Sequence, residues 1–213
     1  MVETIMAAAG GIFLLFGIVY IAWNGWKNIN ASKKAAHHYF DAISKILGNP
    51  YPLFIINDTD MAFLRDHNYN PDAIYHLVVL IMMHLKAPYS RFNIRVSDGK
   101  QGNVAGLYSQ NSGLPTIEIL VKPNFTEEQV IAIVCHECMH HYLNIKKIKG
   151  KSDEANEKLT DYAAVYTGFG KQLQRGYKHI QNNFNGRELQ SKVGYLSEMD
   201  IRIAIKTLKR YFQ

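Results

Sequence analysis

The spacing of apolar positions changes along this chain, and each change marks an element. From Ile5 to Trp23 there are 19 residues without a charge. As a helix that run is roughly 28 Å long, about the hydrocarbon thickness of a bilayer. Tyr20, Trp23 and Trp26 gather at its end as an interfacial aromatic belt does. A cleaved signal peptide is the rival reading, but neither a basic leader nor a convincing small-x-small cleavage site supports it. Ala31 to Leu47 has helical spacing, with Tyr39, Phe40, Ile43, Ile46 and Leu47 on one side and Gly48-Asn49-Pro50 as its stop. Tyr51 to Ile56 is a short apolar run with the character of a strand. Asn70-Pro71 opens a helix that runs to about Lys86 over Ile74, Leu77, Val78, Leu80, Ile81 and Leu85.

The period then shortens. Arg91 to Val96, Val104 to Tyr108 and Thr116 to Lys122 read as strands of one small sheet. Thr126 with Gln129 is a capping box. It starts a helix buried through Ile131, Val134, Cys135, Cys138 and Met139, with Gly150 as its end. Ser152 or Asp153 caps a second helix from about Glu154 to Tyr166, which Gly168-Phe169-Gly170 ends. Gln172 to Gly194 is irregular apart from one helical piece. Ser197 and Asp200 open a last helix whose stripe is Ile201, Ala204, Ile205, Leu208 and Phe212.

A chain of 213 residues holds one membrane segment and one compact domain. The net charge of +6 suits anionic lipid. It does not imply nucleic acid, because the lysine clusters at Lys146–Lys151 and Lys206–Arg210 lie at helix ends and lack interleaved aromatics. Lys27, Lys33 and Lys34 follow the apolar run and no cation precedes it, which places the C-terminal domain in the cytoplasm. The expected organisation is a transmembrane anchor over 1–27, a juxtamembrane helix and linker over 28–50, and a catalytic domain over 51–213. Cys135 and Cys138, three apart on one helix, are unsuited to a disulfide and read as small buried residues.

The chemistry lies in His136-Glu137-Cys138-Met139-His140. Residues four apart share a helix face, so the two imidazoles reach one point and form half of a tetrahedral zinc site. Glu137 stands where a metallopeptidase keeps its general base. A third ligand is needed. Glu157, Asp153, Glu154 and Glu188 compete for it, and Glu157 is preferred because only it has an acid, Asp161, four residues on. Two antiparallel helices joined by a short turn bring Glu157 opposite the histidines and leave a fourth position for water. His141, about 100° round the helix from His140, is not a ligand.

His136-Glu137-x-x-His140 followed by Asn156-Glu157-x-x-Thr160-Asp161 resembles the gluzincin metallopeptidases, in particular the small single-domain minigluzincins. Thr160 stands where the family usually has Ser. The match covers about residues 116–170. It implies an α+β zincin-like domain: a small mixed sheet with an edge strand, an active-site helix and C-terminal helices, here behind one transmembrane helix. It also implies His136, His140 and Glu157 as ligands of Zn²⁺, Glu137 as base, and Asp161 as partner of a ligand histidine. The strand carrying Ile117, Glu118 and Ile119 becomes the edge that holds a peptide or protein substrate. Zinc would acidify its bound water, Glu137 would take the proton, and the hydroxide would attack a peptide carbonyl. Tyr162, Tyr166, Tyr177 and His179 are the candidate donors to the oxyanion. The expected activity is that of a membrane-anchored zinc peptidase. The alternative is an inactive zincin-fold protein that tethers a partner at the lipid bilayer.

Overall fold

A computed structural model describes residues 2–88, 90–97, 105–110, 113–120, 125–177, 181–184, 187–190 and 194–212. Helix α1 spans Val2–Leu47, α2 Asp58–Asp66 and α3 Pro71–His84. Strands β1 Asn93–Ser97, β2 Gly106–Ser109 and β3 Thr116–Leu120 form one sheet. Helices α4 Glu127–Ile145, α5 Asp153–Ala164 and α6 Gly170–Gly176 follow. A hairpin of β4 Gln181–Phe184 and β5 Arg187–Gln190 precedes α7, Glu198–Leu208. The domain is mixed α and β and mostly helical, with one three-stranded sheet.

The expected transmembrane anchor is corrected. Among the described residues no helix is long and apolar enough to cross a membrane. The run read as an anchor is the first part of one continuous helix to Leu47, which goes on through Lys27, Lys33, Lys34 and Asp41. The helix continues to Leu47 and packs on the rest of the domain. Ala36, Phe40 and Ile43 of α1 are fully buried in the same core as Tyr162, Tyr166 and Ile201. Tyr39 stacks on Tyr162 with ring centroids 4.6 Å apart, and Ser32 bonds Asp200 of α7.

The helix starts follow their caps. Asn70 accepts from Ala73 N, with Pro71 at the first position, and both halves of the Thr126–Gln129 capping box are made. Ser197 and Asp200 form a second such box at α7. Helix α2, capped by Asn57, has no counterpart in the sequence reading, because its nine residues are too short for a clear period. Tyr51 to Ile56 is not a strand. Its amides bond to the break in the helix beyond α5: Tyr51 N donates to Tyr166 O and Phe54 N to Gly168 O. That break, Val165–Phe169, joins α5 to α6 instead of ending the helical stretch. Helix α4 stops at Ile145, short of Gly150, because Lys147 takes a left-handed φ of 56° and Ile148 N reaches back to Leu143 O.

Strand order settles which strand is central. The order is β1-β3-β2, with β3 parallel to β1 and antiparallel to β2. Ile117, Glu118 and Ile119 therefore lie on the central strand and cannot be an edge, a correction to the sequence reading. Alternation decided their fate: Ile117 and Ile119 are fully buried, while Arg95 and Leu107 flank Glu118 in the register. The edge nearest α4 is β2.

Candidate metal centre

Helix α4 is buried along almost its whole length, which explains its weak amphipathicity: it runs through the middle of the domain. The turn to α5 is short and fixed by Gly150 N donating to Asn156 Oδ1. The two helices then run antiparallel, and His136, His140 and Glu157 come together. His140 Nε2 is 3.0 Å from His136 Nε2, and each Nε2 is 3.1 Å from Glu157 Oε2. These three residues can hold a metal ion.

Proton counting shows why a cation fits. His136 Nδ1 lies 2.8 Å from Asp161 Oδ1, an acceptor, so its hydrogen sits on Nδ1. Thr160 Oγ1 already donates to Asn156 O, so at 3.2 Å from His140 Nδ1 it accepts from that nitrogen. Both Nε2 atoms of the neutral rings are then bare lone pairs. In that form they make, with Glu157 Oε2, three acceptors facing one another. Ligand atoms about 2.0–2.1 Å from a common tetrahedral centre stand roughly 3.3 Å apart, close to what is seen.

Burial lowers the His136 pKa, but Asp161, Glu157 and Glu137 outweigh it and raise it well above its usual range, so a proton and a cation compete for Nε2. Burial pulls Glu157 the other way, yet the two imidazoles keep its carboxyl down at about 2. The site attracts positive charge. Glu137, beside it, is almost fully buried. Burial raises its pKa, opposed by His136 and His140 and by a hydrogen bond from the Tyr108 backbone N–H.

Asp161 is a hub. It is 0% exposed and accepts four hydrogen bonds. Oδ1 takes His136 Nδ1 and, at 2.6 Å, the Tyr177 hydroxyl; Oδ2 takes Tyr195 N and Leu196 N, each at 2.9 Å. The acid thus fixes His136 and ties down the turn at Gly194–Leu196. Gly194 has φ +82°, and a Cβ there would fall on the Tyr177 ring.

The open face is a cleft of about 900 Å³. Its lining includes His136, Glu137, His140, Glu157, β2 and Tyr195. Gly106 lets β2 lie close to α4, because a Cβ would press on Glu137 Oε1 and Ile133 Cγ2.

The candidate oxyanion donors are mostly committed elsewhere. Tyr162 stacks in the core, Tyr166 donates to Gly48 O, and Tyr177 donates to Asp161 on the Nδ1 side of His136. His179 lies outside the described residues, and so does the side chain of Glu188. Glu154 pairs with Lys158 on the surface and Asp153 is exposed, so neither competes as a ligand. His141 turns away, buried against Phe92 and within reach of Tyr108 and Ser90. Sequence reasoning missed Thr160 as the residue that orients His140, although its place four after Asn156 was a signal. It also missed Tyr195, whose ring lies nearly parallel to that of His136, 6.3 Å away. Nothing in the local pattern marks Tyr195. No family model, no curated protein and no solved structure matches this chain.

Proposed function

We propose that this protein is a zinc-dependent peptidase of the gluzincin kind, with His136, His140 and Glu157 as its metal ligands. The observation that carries the reading is the meeting of His136 Nε2, His140 Nε2 and Glu157 Oε2 within 3.1 Å of one another, beside a buried glutamate in an open cleft. Two imidazoles and one carboxylate are the donor set of a catalytic zinc with an open position. When bound, the cation supplies Lewis acidity, polarising a carbonyl and acidifying water.

The chain's own residues do the rest. Glu137 accepts a proton from the attacking water and returns it to the leaving amine. Its raised pKa brings it nearer neutrality, which suits a group that both takes and gives a proton. Asp161 and Thr160 hold the two imidazoles in the tautomer that exposes Nε2. Among the described residues β2 has a strand on one side only. Ala105 O is taken by Leu120 N, so by ladder alternation the backbone groups of Gly106 and the carbonyl of Tyr108 face the cleft, while Tyr108 N–H bonds Glu137. An extended peptide pairs there. Tyr195, half-exposed on the opposite rim, offers its hydroxyl to the oxygen on which charge develops.

The test is Glu137→Gln in the full chain. Hydrolysis of a peptide library is expected to fall about 10²–10⁴-fold while stoichiometric zinc is retained. Equal turnover by mutant and wild type rejects the assignment of the base. Zinc uptake with no hydrolysis by either leaves a metal-binding module.

A further inference from the structure

The cleft does not end at the metal triad. Strand β2 runs alongside α4 in the same direction: Gly106 lies by Ile133 and Glu137, Tyr108 by His141, and Gln110 accepts from Asn144 Nδ2 at 2.7 Å. The space between them therefore continues toward the last turn of α4, where Leu143, Lys147, Ile148 and Lys149 wall it. Lys147 and Lys149 are exposed, and among the described residues neither is in an ion pair. Lys158, one helix away, is paired with Glu154. The other charged residues lining the cleft are Glu137 and Glu157, which the metal site uses.

This end is also held in place. Ile148 N bonds Leu143 O at 2.9 Å, Lys147 N bonds Asn144 O at 3.0 Å, and Gly150 N is tied to Asn156. Lys147 occupies the left-handed position of that turn, where glycine is the usual residue. Lys86 closes α3 in the same way, so the backbone form is not peculiar to the cleft. The difference is that Lys147 lines the cleft.

Resting on the peptidase reading, we propose that the Lys147–Lys149 end of the cleft is a subsite for a carboxylate side chain of the substrate. Lys147 is seven residues beyond His140, roughly 10 Å along a helix and about three residues of an extended chain. The peptides taken here carry Glu or Asp about three residues from the cleaved bond, on one side of it. Apolar Leu143 and Ile148 carry the stem of such a side chain, and the ammonium groups meet its head.

The experiment uses the zinc-loaded full chain and fluorogenic peptides with a single Glu, or Gln, scanned through the positions flanking the scissile bond. One position on one side is expected to favour Glu over Gln in kcat/KM by roughly fivefold, the scale of an exposed ion pair. Lys147→Glu with Lys149→Glu is expected to reverse that ratio. A parallel arm measures binding of the same peptides to Glu137→Gln by anisotropy, where the Glu preference is expected to shrink at high salt. Cleavage with no Glu preference in either arm overturns the subsite and leaves the peptidase standing. Glu-dependent binding without cleavage by the wild type supports the subsite and overturns the peptidase. A preference that survives the double charge reversal overturns the assignment to these lysines.

Discussion

The two sides of the cleft are held by different means. On the helical side, His136, Glu137, His140, Glu157, Thr160 and Asp161 come from two consecutive helices, set by four-residue spacing and a short turn. On the other side, β2 and the Gly194–Leu196 turn come from segments about thirty residues before and after, and contacts across the fold place them. Gly106 is fitted to Glu137, and the amides of Tyr195 and Leu196 are bound to Asp161. The candidate ligands therefore depend on local geometry, while the opposite rim of the cleft depends on the whole domain. Asp161 is where the two meet, one oxygen serving each side.

Asp161→Asn tests that junction and should have the largest effect. One acceptor becomes a donor, so the bonds of one oxygen are lost, and the uncharged oxygen that remains holds the other pair more weakly. Metal affinity is expected to fall about 10–100-fold, as for other partners of ligand histidines. Loss of the buried charge opposite His136 is expected to remove roughly 3 kcal/mol of stability. Hydrogen exchange at the Tyr195 and Leu196 amides should accelerate. Unchanged exchange there would show that the turn stands without the acid.

Tyr195→Phe separates the sides. The ring and its packing remain, so stability should stay within about 0.5 kcal/mol and zinc titration should be unchanged. The peptidase kcat is expected to drop about 100-fold, as on loss of one oxyanion donor. A wild-type kcat in this variant removes the hydroxyl from the mechanism.

Gly106→Ala probes the close approach of β2 to α4 and should be the mildest. The atoms met by the new methyl belong to the side chains of Glu137 and Ile133 and not to backbone. A loss of roughly 1 kcal/mol in thermal or denaturant unfolding is expected, at the low end for overpacking. Metal affinity should hold while kcat/KM falls, because Glu137 moves and the ligands do not. A loss of zinc would show that the two sides are less separable than their contacts indicate.

The helical side was legible because its information is local. Thr126-x-x-Gln129 sets the start of α4, Ser152 the start of α5, and the i, i+4 pairs align the site residues on facing stripes. The anchor reading failed for a related reason. An uncharged run states hydrophobicity without stating what the helix packs on, and α1 runs on past its expected end into the core through Ala36, Phe40 and Ile43. The choice of β3 as the edge failed because alternation gives the faces of a strand and not its neighbours.

By itself the sequence determined the capped helices α3, α4, α5 and α7, the three strands of the sheet and the convergence of His136, His140 and Glu157. Each of these follows from backbone periodicity and capping within a few residues. Only the tertiary structure decided that β3 is central and β2 is the edge beside α4, that Thr160 turns His140, that Tyr195 borders the cleft and that Lys147 and Lys149 wall its far end. Those outcomes depend on strand order and on chain segments tens of residues apart meeting at Asp161 and Glu137, which no local period encodes.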